Sequence, residues 1–396
     1  MGIYSEYLKH GFHNFDEITQ ERRKWLAKIS EIRGGRNIIT YASAVTKRGD
    51  ISIDEGDLIP FVDTVSSLDS TKGLDIILET PGGSAETVEK IVRSLRSKFS
   101  HIAVIIPRMA MSAGTIFTMA ADEILMGEIS SLGPIDAQIP FNGRFLPADA
   151  IIDGVEKIKE EVVKNNGKLN PAYIPILQNI NPGIISHCQT AQEFSKSLVR
   201  HWLKEYKFSH WETHSSNGVP VTEREKEKRA AEIAAALCSH SKWLTHGRSL
   251  GIKELSDLKL EIINYSQDSN LNEAITRYFI LLIMTFDMTS IFKIFETPTA
   301  YVIKQAIPNV PTPPPFPTSL NNLNTQPHNK ALIQFICPAC KQTVNVQGNF
   351  IQGIPLVSGH IAFPRNNKLV CPFCHQESDV FPIRMQIEAR EGKKIL

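Results

Sequence analysis

No stretch of this 396-residue chain is apolar for long enough to cross a bilayer. The longest apolar run, Tyr278–Phe286, is nine residues between Arg277 and Asp287, against about 20 for a spanning helix. It predicts a buried helix instead. Residues 1–30 carry His10, Asp16, Glu17, Glu21, Arg22, Arg23 and Lys24 and no apolar core of the kind that opens an exported chain. The expectation is a cytoplasmic protein without membrane contact. An excess of one charge is missing too: 43 Lys and Arg face 42 Asp and Glu, a net +1. That argues against bulk attraction to nucleic acid or membrane as an organising principle. There is no Gly-x-x-x-x-Gly-Lys-Ser/Thr loop, so no P-loop ATPase. Cysteine is scarce, six in all, which excludes a secreted disulfide scaffold at this length. Two of them, Cys188 and Cys238, stand alone and are expected to be reduced and half-buried.

What is present concentrates in residues 76–134. An apolar run, Leu74–Leu78, ends in Thr80-Pro81-Gly82-Gly83 and an amphipathic stretch follows. A second run, Ile102–Ile106, leads into Ala110-Met111-Ser112-Ala113-Gly114-Thr115. Each reads as a strand that ends in a small-residue turn and opens a helix. Glycines let backbone N–H groups approach a ligand, and a helix N-terminus favours negative charge, a developing oxyanion included. Composition alone makes Ser112 a small residue in a packing turn. The glycine pair upstream turns the reading to a nucleophile, with the Ala113 N–H and that of Gly82 or Gly83 as oxyanion donors.

Helical spacing of Phe15, Ile18, Trp25, Leu26, Ile29 and Ile32 makes 1–35 an N-terminal helical segment for packing or oligomerisation. Strand candidates Asn37–Tyr41, Leu74–Leu78, Ile102–Ile106 and Glu123–Met126 alternate with helix candidates. One of these is opened by Asp54-Glu55-Gly56-Asp57; the others are Glu86–Ser97 and Ala113–Ala121. That alternation predicts an α/β fold with parallel strands and right-handed crossovers. From Asp149 to Leu244 the pattern is mainly helical. In Glu223–Leu237 the cations Arg224, Lys226, Lys228 and Arg229 alternate with glutamates and read as a solvated face. A segment Glu273–Phe295 closes a domain over 36–306. Residues 307–330 hold seven prolines and read as an extended linker. A small domain, 331–396, follows.

With Thr80-Pro81-Gly82-Gly83, Met111-Ser112-Ala113-Gly114-Thr115 and Leu132-Gly133-Pro134-Ile135-Asp136 on the page, the chain resembles the serine dehydrogenase proteinase family. That family is a distant relative of the Clp-type protease subunit and the signal peptide peptidases in the ClpP/crotonase superfamily. The resemblance is firm over Leu74–Gln138, looser over Arg36–Phe295, and absent from the C-terminus. It implies a superhelical α/β core of parallel strands and helices, a homo-oligomer, and a serine peptidase acting on protein or peptide with Ser112 as nucleophile. Many relatives carry an N-terminal membrane anchor, for which residues 1–30 offer no candidate.

The base departs from the Clp pattern. There a histidine follows the serine; here Gly133–Gln138 holds Asp136 and no histidine. The family order Ser, Asp, His fits Asp136 as orienting carboxylate and one of His187, His201, His210, His214, His240 or His246 as base. His246 is chosen because Thr245-His246-Gly247-Arg248 precedes a family-like Gly251–Leu260 segment, although a histidine beside a glycine equally caps helix carbonyls. The rival is a signal-peptide-peptidase-like lysine, Lys157 or Lys159, which reads better as a solvated helix charge beside Glu156, Glu160 and Glu161.

The C-terminal domain reads Cys337-Pro338-Ala339-Cys340, thirty residues, then Cys371-Pro372-Phe373-Cys374. Two such pairs place four thiolates around Zn²⁺. Between strand candidates Thr343–Val346 and Gly353–Val357 they indicate a zinc ribbon, expected to bind a partner, a substrate or nucleic acid. The Cys371–His375 match to haem attachment requires export and leaves the first pair unexplained. Two further readings stand beside the peptidase. A crotonase-like acyl-CoA enzyme would use the same paired N–H groups, and a degenerate scaffold would leave the work to the ribbon.

Overall fold

The structure, a computed structural model, describes residues 2–47, 49–141, 143–178, 180–214, 218–306 and 329–396. Most of the expected linker, 307–328, lies outside them. The chain divides into two compact units. One comprises Ala27–Ile275 and Lys293–Val302; the other comprises Met1–Leu26, Thr276–Phe292 and Ile303–Leu396.

The larger unit is built on a sheet with strands in the order Asn37–Ser43, Leu74–Glu79, Ile102–Ile106, Glu123–Met126 and Ile263–Asn264. From Asn37–Ser43 to Ile263–Asn264 every neighbouring pair is parallel, with Asn37 opposite Leu74, Leu74 opposite Ile102 and Ala103 opposite Glu123. Ile291–Glu296 pairs antiparallel to Asn37–Ser43. The two central strands are buried at every position, which is why they read as apolar runs rather than alternating ones, with buried Asp75 held by Arg33 and Arg36 at 2.8 and 2.5 Å.

Beyond the sheet each repeat makes a second, smaller contact. Bridges join Ile53 to Gly83, Thr80 to Ala110 and Leu132 to Leu250, and Met109–Ala110 pairs with Ser131–Leu132. Strand, short second strand and helix thus recur along the chain, giving the superhelical α/β core that was expected. The turns after the long strands lie on this second ladder, and these are the segments the sequence singled out.

Two buried ionic groups brace the ladder. Lys293 Nζ donates to Asp57 at 2.7 Å and Asp54 at 2.8 Å, and Tyr41 Oη donates to Asp57 at 2.5 Å. This pins the loop whose Ile53 meets Gly83. Glu79, fully buried, accepts from Arg108 at 2.6 Å and from the Met109 N–H at 3.1 Å, joining the two turns. Burial raises the Glu79 carboxyl to about 7 against the pull of Arg108. Tyr41, Phe61, Phe117 and Phe295 pack ring to ring beneath.

In the smaller unit, helix Ile3–His10 and residues 15–26 pack with 276–292 and the C-terminal residues. Tyr278–Phe286 is a buried helical stretch, as its run predicted. Strands Lys330–Ile336 and Thr343–Asn349 form a hairpin, and Lys368–Val370 pairs with Glu377–Asp379. The expected strand Gly353–Val357 is not one. Gly353 turns with φ +82°, and Gln347 takes up Pro355 O and the Val357 N–H with its side chain. Ile361–Ala362 supplies the third strand instead. Helix Phe381–Glu391 carries Glu388, which accepts from the Phe15 N–H at 3.1 Å, while Lys394 pairs with Asp16 at 3.2 Å.

Two smaller expectations also change. Lys226 is buried rather than solvated, because its Nζ donates to Ser209 O at 3.1 Å. Cys188 and Cys238 are fully buried rather than half-buried, and burial pushes the Cys238 thiol up to about 12.

Candidate active site

Ser112 has φ 51° and ψ −116°. A non-glycine residue held there costs roughly 1–3 kcal/mol, and such strain gathers at functional sites. Helix Ala113–Thr118 begins on the next residue and is wholly buried. Gly114 lets it close on the other turn: a Cβ there would lie 2.5 Å from Thr80 Cγ2. Ser112 remains half-buried, and among the described residues its Oγ makes no hydrogen bond.

The glycine pair is dictated sterically. Gly82 and Gly83 have φ +104° and +149°. A Cβ on Gly82 would lie 2.7 Å from Met111 O and from Ser112 Cβ, and one on Gly83 would lie 2.3 Å from Ile53 O. Their amides differ. The Gly82 N–H donates to Thr80 Oγ1 at 3.1 Å. Gly82 O accepts from the Ile53 N–H at 2.7 Å, and the Ser84 N–H donates to Ile53 O at 2.9 Å. This arrangement leaves the Gly83 N–H, like the Ala113 N–H, without a partner among the described residues. Of the two glycines the sequence offered as donors, Gly82 is occupied and Gly83 is available.

The loop carrying Asp136 is tied to the same helix. Thr115 Oγ1 accepts from the Gly133 N–H at 2.9 Å, and a Cβ on Gly133 would lie 2.7 Å from Met111 Cε. The segment with the late histidines folds onto this loop. Leu132 and Leu250 exchange backbone bonds at 3.0 and 2.8 Å, and the Ile135 N–H donates to Leu237 O at 3.0 Å. Asp136, 1% exposed, thereby meets His246, with Oδ1 2.6 Å from Nδ1. Its Oδ2 lies 3.1 Å from His240 Nδ1 and accepts from Gln138 Nε2 at 3.1 Å. Burial raises the Asp136 carboxyl, but the bonds and charge of His246 and then His240 outweigh it, leaving it below the usual carboxylate range.

His240 was among the sequence candidates but was passed over, and nothing in its spacing marks it. It is positioned by helix His240–Trp243, capped by Ser239, and by Asp149, which accepts from its N–H at 3.0 Å. Lys157 and Lys159 are exposed on helix Ala148–Lys164, and Lys159 pairs with Glu156 at 3.1 Å.

The four C-terminal cysteines form a separate cluster, with ligand atoms all within 4.8 Å of one another. Cys337 and Cys374 sulfurs are 3.6 Å apart, and those of Cys340 and Cys371 3.7 Å. A tetrahedral ion with bonds of about 2.3 Å places its sulfurs roughly 3.8 Å apart, so the cluster fits a metal ion. The two knuckles repeat one geometry. The Cys337 N–H donates to Gln342 O and the Cys371 N–H to Gln376 O, both at 3.0 Å. Lys341 and His375 sit at φ 60° and 57°. The Cys340 N–H draws the Cys337 thiol down to about 6, while burial and the neighbouring thiols push Cys340 up to about 12.

Residues 17–170 match the family described as ClpP-like SDH-type serine proteinase, in agreement with the fold above. Two uncharacterized proteins of Methanocaldococcus jannaschii are similar. One is 40% identical over 86 residues, 22% of this chain and 29% of that protein. The other is 29% identical over 193 residues, 48% of this chain and 51% of that protein. The chain thus spans about half, or less, of the length of these curated relatives. Two solved structures of a membrane-bound stomatin-specific protease are also similar. The first, a serine-to-alanine variant, is 14% identical with a TM-score of 0.31, covering 54% of this chain and 74% of that one. The second, a lysine-to-alanine variant with a substrate peptide, is 15% identical with a TM-score of 0.31, covering 57% and 71%.

Proposed function

With residues 17–170 matching the ClpP-like SDH-type serine proteinases, we propose that this protein is a serine peptidase with Ser112 as its nucleophile. The observation that carries the reading is the strained Ser112 backbone packed against Gly82, with the N–H groups of the adjoining residues Gly83 and Ala113 lacking partners among the described residues. Ser112 Oγ attacks the scissile carbonyl carbon and passes its proton to Nε2 of His246. Asp136 holds Nδ1 of that ring and stabilises the imidazolium. The carbonyl oxygen becomes an oxyanion accepting from the Gly83 and Ala113 N–H groups. The intermediate collapses, the C–N bond breaks, and the leaving amine takes the proton from His246. Water, deprotonated by the same ring, then attacks the acyl carbon; the ester bond to Ser112 breaks, Ser112 Oγ takes the proton back from His246, and the acyl group leaves as a carboxylic acid that ionises in solvent. Each oxyanion donor supplies roughly 10²- to 10³-fold in rate. Ser112 Oγ makes no hydrogen bond to either histidine, and catalytic bonds are often long before substrate binds. His240 is the alternative base, because it meets the same carboxylate at 3.1 Å.

The four thiolates are proposed to hold structural Zn²⁺, which closes the two knuckles and supplies no open position for chemistry. No disulfide joins the six cysteines, which suits a reducing compartment, and on that ground we propose a cytoplasmic location; a homo-oligomer and a ribbon that docks a partner or substrate are proposed from the family resemblance and the separate cluster. Fluorophosphonate labelling of intact protein tests the peptidase reading. Modification at Ser112, lost in Ser112→Ala together with hydrolysis of a small peptide ester, is expected. An unlabelled Ser112 in folded protein points to a degenerate scaffold. Affinity for an acyl-CoA without labelling points to crotonase-like chemistry.

A further inference from the structure

A cavity of about 710 Å³ lies in the larger unit, at the ends of the strands opposite to Ser112. His101, Asp122 and Glu123 line it at the starts of strands Ile102–Ile106 and Glu123–Met126, whereas Ser112 follows the end of the first. A five-residue strand at about 3.3 Å per residue sets the two ends roughly 15 Å apart. The volume is that of a small-molecule site.

One wall has unusual backbone. Helix Pro182–Trp202 runs on into a π-helical turn, Leu203–Lys207. Such turns are rare and frequently occur at functional sites. This one buries Leu203 in the core and puts Tyr206 and Lys207 on the cavity wall, beside Phe208 and Trp211.

The charges around the cavity are mostly accounted for. Asp122 is paired with Arg96 at 2.8 Å and accepts from the Ile102 N–H at 2.7 Å. Glu123 is paired with Arg33 at 2.6 Å, and His214 with Glu225 at 3.2 Å. Lys207 is different. Its side chain is only 4% exposed. Among the described residues its Nζ makes one hydrogen bond, to Asp122 O at 3.1 Å. Glu261, itself 85% exposed, is 3.9 Å away, beyond hydrogen-bond reach. A side chain only 4% exposed, with one hydrogen bond and one long ion pair among the described residues, thus lines a cavity, and burial pulls its pKa below the lysine range against the opposite pull of Glu261, Glu123 and Asp122. An anion there would complete it.

The neighbours select the anion. Lys207, Arg229 and Lys259 line the same cavity as Asp122, Glu123 and Glu261; Asp122 and Glu123 are held by Arg96 and Arg33, which leaves Glu261 facing Lys207 at 3.9 Å. A polyanion would meet three carboxylates, whereas a single carboxylate matches one under-bonded ammonium. The aromatic wall of Tyr206, Phe208 and Trp211 suits an apolar body. We propose that this cavity binds a small organic monocarboxylate, its carboxylate on Lys207 Nζ and its apolar body against Trp211.

Calorimetric titration of the full chain with N-acetyl-phenylalanine, its methyl ester and phenyl phosphate tests this. The acid is expected to bind, and the ester and the phosphate much more weakly. Lys207→Met should lower affinity for the acid roughly tenfold to a hundredfold, the value of a hydrogen bond to a charged group. Equal binding of acid and ester, an unchanged Lys207→Met, or no binding up to about 10 mM overturns the proposal. A readout without a variant guards against misfolding: acetic anhydride labelling followed by mass spectrometry. The acid should protect Lys207 and not Lys204; equal labelling of Lys207 with and without acid also overturns it. N-acetyl-Ala-Ala-Phe distinguishes the source. Binding about tenfold or more tighter than N-acetyl-phenylalanine marks a peptide C-terminus as the ligand, and equal binding marks a free acid.

Discussion

Replacing Asp136 by asparagine probes the proposed base with little change of shape. The carboxylate now accepts from two rings, His246 at 2.6 Å and His240 at 3.1 Å, and from Gln138. An asparagine keeps one acceptor oxygen and replaces the other with an NH₂ donor. Whichever histidine faces the NH₂ must present a bare Nδ1, so its proton sits on Nε2 and the ring cannot act as base there. If the oxygen still faces His246, the tautomer survives but the negative charge opposite the imidazolium is lost. A charge pair at about 4 Å is worth roughly 4 kcal/mol at an effective dielectric of about 20. That is an upper figure, since His246 is 29% exposed and solvent screens the pair. The wrong tautomer in a Ser-His-Asp triad costs about 10⁴-fold in kcat. Together these predict a fall in kcat of roughly 10²- to 10⁴-fold for Asp136→Asn, with KM little changed. The assay is steady-state hydrolysis of a peptide ester, with circular dichroism confirming the fold. A variant retaining more than about a tenth of wild-type kcat would refute the role of Asp136. Running His246→Ala and His240→Ala beside it identifies the base, because residues acting as a unit are strongly non-additive. Whichever histidine variant is scarcely worsened by adding Asp136→Asn carries the proton. Stability carries a second signature. The folded carboxyl lies below its ordinary range, so its contribution is present above the unfolded carboxylate pKa and is lost as pH falls through the folded one. Asp136→Asn should lose that acid-limb dependence.

Gly83→Ala should cost both fold and rate. Its Cβ would meet Ile53 backbone at 2.3 Å with φ at +149°, so a lowered Tm and roughly 10²-fold or greater loss of kcat are expected; wild-type values for both would remove Gly83 from the site. Glu79 titrates in the opposite sense from Asp136. Its folded pKa is raised to about 7, so stability is full below the unfolded value and falls as pH rises through the folded one. Glu79→Gln should flatten that fall in denaturant titrations across neutral pH, and an unaltered pH profile would contradict it. Chelation should melt more than the knuckles. Because Glu388 caps Phe15 and Lys394 pairs with Asp16, hydrogen exchange should accelerate in residues 3–26 as well as 330–391, whereas acceleration confined to the C-terminal residues would show the two to be uncoupled. Lys157→Ala and Lys159→Ala should leave kcat within about twofold, as expected of exposed surface charges; loss of activity in either would reinstate the lysine base.

Much of this protein is local enough to read along the chain. The central strands announced themselves as apolar runs because both their faces are covered. The turns after them were legible because strand, small residues and helix follow within a dozen positions, and only glycine tolerates the φ at 82 and 83. The cysteine cluster was legible because each knuckle closes within six residues, from Cys337 N–H to Gln342 O. The strand expected at Gly353–Val357 failed for a reason the sequence displayed but did not weigh: a glycine turn and a proline inside the run.

The remainder depended on residues far apart in the chain. Which glycine amide is available was decided by two contacts: the Thr80 hydroxyl takes the Gly82 N–H, and the backbone of Ile53, about thirty positions earlier, pairs on either side of Gly83 and leaves its N–H unused. His246 was chosen through a family resemblance rather than any spacing rule, and its meeting with Asp136 closes a loop of 110 residues. His240 reaches the same carboxylate only because a short capped helix lies on Asp149. Nothing in the sequence singles out Lys207; its enclosure comes from the π-helical turn that carries it to the cavity wall. Strand runs, turns and knuckles are set by backbone sterics and hydrogen bonds between near neighbours, so the sequence determined them. The partner of a buried charge is set by whichever distant segment packs against it, and that only the tertiary structure decided.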